Sequence, residues 1–153
     1  MSIEQFLAWE RDQPERYEFA DGVVTMRAGQ TLGHGAITMN LFAGMRGKLG
    51  RGAYRVFASS VKIVANATVR YPDIAVTCHP FEGKDDVVPE PVLIIEVVSA
   101  STECLDRGRK KFDYFATPSV LQYAIVEQDE RRVDLYTAPQ RAGPMRSLPA
   151  TRC

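Results

Sequence analysis

The chain has few cysteines, no net charge and no long apolar run, and each of these shortages removes a class of protein. Its three cysteines, Cys78, Cys104 and Cys153, are odd in number and widely spaced, with no CxxC pair. They frame no disulfide scaffold, and the two histidines, His34 and His79, do not complete a zinc-binding pattern with them. A reduced, cytoplasmic setting is the expectation. Nineteen basic and nineteen acidic side chains cancel, so a polyanionic partner would have to be met by local patches and not by an overall field. No window is apolar for the roughly 20 residues that a bilayer requires. Met1 to Trp9 also lacks the basic start and apolar core of a secretory signal. No membrane partner is expected.

What remains is a chain of 153 residues, 45% hydrophobic and 25% charged, which suits one compact domain around one core. Ser2 followed by Gln5 is a capping-box pattern, and Ile3, Phe6, Leu7 and Glu10 share a face, so a first helix ends before Pro14. Tyr17–Ala20 and Val23–Arg27 flank Asp21-Gly22, the dipeptide of a tight hairpin turn. Ile37, Leu41, Met45 and Leu49 mark a helical face between Thr31 and Leu49. Strands are expected at Tyr54–Ala58, Ser60–Val64 and Val69–Cys78, with a turn at Asn66-Ala67 and a surface loop over Phe81–Glu90. Val92–Val98 reads as a central strand, and Ser101 or Thr102 caps a helix that runs to Ala116 before Pro118. Leu121–Glu127 and Arg131–Thr137 form a second hairpin pattern around Asp129-Glu130. The expected fold is α/β or α+β, a mixed central sheet flanked by helices. Residues 1–137 form one domain in this reading and 138–153 an irregular tail.

Glu96 breaks an otherwise apolar strand, and an uncompensated carboxylate in a core costs several kcal/mol, so a cation or hydrogen-bonding partner is required there. Asp73, in Tyr71-Pro72-Asp73, stands at the mouth of the apolar run Ile74-Ala75-Val76. Alone it reads as a turn aspartate; beside Glu96 it reads as a second ligand. Two carboxylates on neighbouring strands, with a backbone carbonyl and waters, make the oxygen-rich site preferred by Mg²⁺ or Mn²⁺. Lys110 shares a helical face with Asp106 and Tyr114 and could orient a water, although Arg107, Arg109, Lys110 and Lys111 also suit a solvated basic face. Glu18 reads first as an exposed hairpin acid, His34 as a surface histidine near a helix start, and Ser99 as a strand end. Arg46, Lys48, Arg51 and Arg55 are further basic positions that suit phosphates or plain solvent.

Tyr71-Pro72-Asp73-Ile74-Ala75-Val76, then Pro91 to Ser99, then Asp106-Arg107-Gly108 with Lys110 and Tyr114 resemble the Uma family of restriction-endonuclease-like proteins, within the PD-(D/E)XK nuclease superfamily. Tyr17-Glu18-Phe19, Asp21-Gly22 and His34 are similar to its N-terminal signature, so the resemblance covers roughly Ser2 to Thr137. It implies a restriction-endonuclease-like core with an N-terminal helix and hairpin. It also implies a Mg²⁺ or Mn²⁺ site held by Asp73 and Glu96, with the Val97 carbonyl and Glu18 as further ligands and Lys110 as catalytic lysine. The superfamily's lysine position, two residues after the acid, holds Val98 here. Gln122, Ala124 and Glu127 also depart from the family's acid, tryptophan and aspartate. The expectation is a metal-dependent DNA endonuclease, possible as a homodimer. Its alternative is a catalytically silent dimeric or DNA-associating module of the same fold.

Overall fold

A reciprocal capping box opens the first helix, α1 (Ile3–Glu10): the Ser2 hydroxyl accepts from the Gln5 backbone N–H while the Gln5 side chain accepts from the Ser2 N–H. The computed structural model describes residues 1–27, 29–50, 52–99 and 103–139, with the backbone alone from 103 to 107. Strands β1 (Tyr17–Ala20) and β2 (Val23–Met26) make the expected hairpin, and Asp21 and Gly22 supply its two positive φ angles of 53° and 78°. Helix α2 (Leu32–Leu49) starts at the Thr31 cap, whose side chain accepts from the His34 N–H. Then follow β3 (Arg55–Ala58), β4 (Ile63–Ala65), β5 (Thr68–Arg70), β6 (Ile74–Thr77), β7 (Pro91–Val98), α3 (Glu103–Ala116), β8 (Gln122–Glu127) and β9 (Val133–Thr137).

The mixed sheet of the sequence reading is five-stranded, in the order β3-β6-β7-β8-β9, antiparallel except for the β7–β8 pair that α3 joins. It has a companion that was not foreseen. A four-stranded antiparallel sheet, β2-β1-β5-β4, carries α1. The run expected as one strand over Val69–Cys78 is therefore two strands in two sheets. Pro72 has no N–H to give to a ladder, so Tyr71-Pro72-Asp73 makes the step from one sheet to the other. Asn66, at φ 55°, makes the expected turn between β4 and β5. The strand expected at Ser60–Val64 begins only at Ile63, because Ser59, at φ 51°, turns the chain first.

Alternation along β6 and β7 sorts the core into two faces. Ile74, Val76, Ile95 and Ala124 pack under Leu41, Phe42, Met45 and Leu49 of α2. Ala75, Ile94, Tyr123 and Ile125 pack with Tyr114 of α3. Glu96 shares parity with Ile94 and belongs to the α3 face. The caps expected at Ser101 or Thr102, the side chains of Cys104, Asp106 and Arg107, Arg51, and the tail beyond Pro139 lie outside what is described.

Candidate active site

Register explains why two distant acids meet. In the antiparallel β6–β7 pair Ile74 stands opposite Ile95, so one step outward sets Asp73 against Glu96. Both are buried, Asp73 at 2% and Glu96 at 5% exposure, and both line a cavity of about 370 Å³ that opens at this end of the sheet. Glu18, Arg27, Gln30, His34, Val97 and Lys110 are also in its wall.

The Asp73 carboxylate is densely solvated by protein. Its Oδ2 accepts from the Val97 backbone N–H at 2.8 Å. Its Oδ1 accepts from Arg27 Nη2 at 3.1 Å and Gln30 Nε2 at 3.0 Å. His34 Nε2 lies 2.9 Å from the same Oδ1, but in a direction that forms no hydrogen bond, so the approach is a contact and not a third directed donor. Glu96 has a simpler environment. Its Oε1 accepts from the Tyr114 hydroxyl at 2.7 Å and lies 3.4 Å from Lys110 Nζ. Burial pushes the Glu96 carboxyl above its ordinary range, and the charge of Asp73 adds to the rise. The opposing pull of Lys110 and of the Tyr114 hydrogen bond does not cancel it.

Lys110 and Tyr114, four residues apart on α3, both reach Glu96, as their helical spacing requires. The basic run on that helix is therefore not one solvated face. Lys110 is 14% exposed in the cavity wall, Arg109 pairs with Asp21 across to the hairpin, and Lys111 lies 4.4 Å over the ring of Tyr136. Glu18 is at the wall with both oxygens engaged, Oε2 by Arg70 at 3.1 Å and Oε1 by the Tyr71 N–H at 3.2 Å. Arg70 in turn bonds Asp113 of α3 at 3.0 Å. Ser99 lines the cavity. Ala124, one of the departures from the family pattern, packs in the α2-side core.

Sequence reasoning ranked His34 as a surface residue and passed over Arg27 and Gln30; the structure puts all three on Asp73. His34 had a signal in its match to the family's N-terminal pattern. Arg27 and Gln30 had none, since they sit in an irregular stretch whose position depends on the β1–β2 hairpin. Among the described residues no three His, Cys, Asp or Glu side chains form a ready metal cluster. A cation here would rest on two carboxylates, backbone carbonyl oxygen and water, a donor set that suits a hard divalent ion. No helix among the described residues is long and apolar enough to cross a membrane.

A family model described as "Putative restriction endonuclease", Uma2, matches residues 3–150. Two uncharacterised proteins of the cyanobacterium Synechocystis are similar over most of this chain. One is 34% identical over 139 residues, covering 89% of this chain and 73% of the relative. The other is 28% identical over 141 residues, covering 89% and 80%. Among solved structures, a protein from Anabaena variabilis described as a "putative nuclease belonging to DUF820" superposes with a TM-score of 0.72 at 18% identity. That match covers 92% of this chain and 81% of the other, and at such identity it establishes the shared fold.

Proposed function

The chain belongs to the Uma2 family, and on that premise we propose that it is a divalent-metal-dependent endonuclease that hydrolyses DNA phosphodiester bonds. The observation that carries the reading is the facing of two buried carboxylates, Asp73 and Glu96, across one register step in a polar cavity with Lys110 on its wall. Two buried like charges that face each other are costly even with Arg27 and Lys110 beside them, and a shared cation offsets that cost. Asp73 and Glu96 would hold Mg²⁺ or Mn²⁺, with the Val97 carbonyl as a third oxygen donor. When bound, such an ion polarises a phosphoryl oxygen and acidifies a water.

The remaining roles fall to the chain itself. Tyr114 fixes the rotamer of Glu96 through its 2.7 Å hydrogen bond. Lys110, already beside Glu96, orients the attacking water and stabilises charge on the phosphate. Glu18, whose oxygens hold Arg70 and the Tyr71 N–H, takes an outer place in the ligand set and shapes the wall. Cutting both strands of a duplex calls for two such sites, so a homodimer is part of the proposal.

Supercoiled plasmid with Mg²⁺ is the direct assay. Nicking is expected to fall by roughly a hundredfold or more in Asp73→Ala and Glu96→Ala, since even supporting residues of metal sites cost 10–100-fold. Undiminished cleavage in either variant would sink the reading. The filled Oδ1 of Asp73 favours a second one, a silent DNA-associating module of the same fold. That protein would bind DNA and show no calorimetric signal with Mg²⁺ or Mn²⁺.

A further inference from the structure

Each of the two facing carboxylates already has a basic side chain beside it. Lys110 stands by Glu96, and Arg27 donates to Asp73 Oδ1. Whereas the Gln30 amide on the same oxygen is a neutral donor, the guanidinium of Arg27 is a cationic one. It is also independently held. Nη1 donates to the Ser59 backbone carbonyl at 2.8 Å, and the guanidinium carbon lies 5.8 Å from the centre of the buried Tyr71 ring. The side chain is 18% exposed and lines the cavity. Loss of its bond to Asp73 would therefore leave Arg27 at the cavity wall, with one edge of the planar fork turned from a carboxylate to whatever anion enters.

Resting on the metal reading above, we infer that Arg27 is an exchangeable counter-ion: it neutralises Asp73 until a divalent cation takes that oxygen, and it then grips a phosphate of the DNA. The charge count favours the exchange. A divalent ion on the two carboxylates does the neutralising work of Arg27 and Lys110 together, so both basic groups become surplus beside the metal and match a phosphodiester anion. A guanidinium is suited to that second partner, because its paired N–H groups fit phosphate oxygens as well as carboxylate oxygens. Metal and phosphate then help each other bind, since each removes a competitor of the other, and the coupling is reciprocal.

The experiment separates this role from a structural one, because a competitor and a scaffold affect metal affinity in opposite directions. Titration calorimetry with Mn²⁺ alone, without DNA, is expected to show Arg27→Gln binding about three- to tenfold more tightly than the wild type, the range of an ion pair of roughly 1 kcal/mol. The same variant is expected to bind a short DNA duplex in Ca²⁺ several-fold more weakly. Arg27→Met, which keeps the aliphatic stem over Tyr71, gives the same two outcomes and serves if the Gln variant does not fold. Equal or weaker Mn²⁺ binding in these variants would overturn the inference, provided that the wild type binds Mn²⁺ and Asp73→Asn does not. A wild type that binds no Mn²⁺ overturns the metal reading itself, and the role of Arg27 with it.

Discussion

Glu10 and Glu96 are both buried glutamates, each with a tyrosine hydroxyl and a lysine at its carboxylate, yet they are held at opposite acidities. Glu10 accepts from Tyr71 at 2.6 Å and from Lys62 at 2.7 Å, and Lys62 also pairs with Asp86 at 2.9 Å. Burial alone would raise Glu10, but the Lys62 and Tyr71 hydrogen bonds outweigh it and hold the carboxyl below its ordinary value. Burial also opposes the charge on Lys62, and its two carboxylate partners nonetheless hold it above the usual lysine value. Tyr71 is pushed up to about 12 by burial and by its bond to Glu10. At Glu96 the lysine is farther away, at 3.4 Å, and the nearest second charge is another acid, Asp73. Identical residue types give a closed, satisfied ion pair between α1 and the sheets in one place. In the other they give an under-compensated acid at a cavity. The difference lies in the lysine, hydrogen-bonded to Glu10 at 2.7 Å but 3.4 Å from Glu96, and in the charge of Asp73, which acts directly on Glu96.

The largest effect that would test this contrast is at the closed pair. Lys62→Met leaves Glu10 buried without its cation and should cost about 3–5 kcal/mol in urea unfolding. Lys110→Met should cost about 1 kcal/mol or less, because Glu96 is less dependent on its lysine. Equal losses would mean that the two clusters are energetically the same.

A second effect is the pH dependence of stability in metal-free buffer. The Glu96 carboxyl is raised in the folded protein, so its favourable contribution is complete below about 4.5 and is lost as pH climbs through the folded value. Glu96→Gln should therefore gain on the wild type as pH rises to neutrality. Glu10 is lowered, so its contribution is present above about 4.5 and is lost as pH falls through the folded value. Glu10→Gln should accordingly be most damaging at neutral pH and lose its penalty in acid. Parallel pH profiles for the two variants would refute the comparison. An effect of the same small size as that of Lys110→Met is expected at Tyr114: replacing it with Phe removes one buried hydrogen bond to Glu96 and should cost about 1 kcal/mol in chemical denaturation.

Much of this site was legible because its signals are local. A carboxylate inside Val92–Val98 conflicts with its apolar neighbours, and that conflict is visible without any fold. Lys110 and Tyr114 could be placed on one face because helical spacing is a property of neighbouring residues. Glu10 showed up on the buried face of α1, but its partner Lys62 did not, since 52 residues separate them. Arg70 likewise reads as one more strand residue until β5 sets it between Glu18 and Asp113. The break at Tyr71-Pro72-Asp73 was readable as a proline restriction, but not as the passage between two sheets.

By itself the sequence determined the element types, both hairpins, the buried strand and its misplaced acid, because propensity, turn chemistry and alternation act over a few residues. Only the tertiary structure decided that the strands divide between two sheets, that register sets Asp73 against Glu96, and that Arg27, Gln30 and His34 converge on one carboxylate oxygen. Those outcomes depend on pairing between segments far apart in the chain, where the energy comes from contacts that no local pattern encodes.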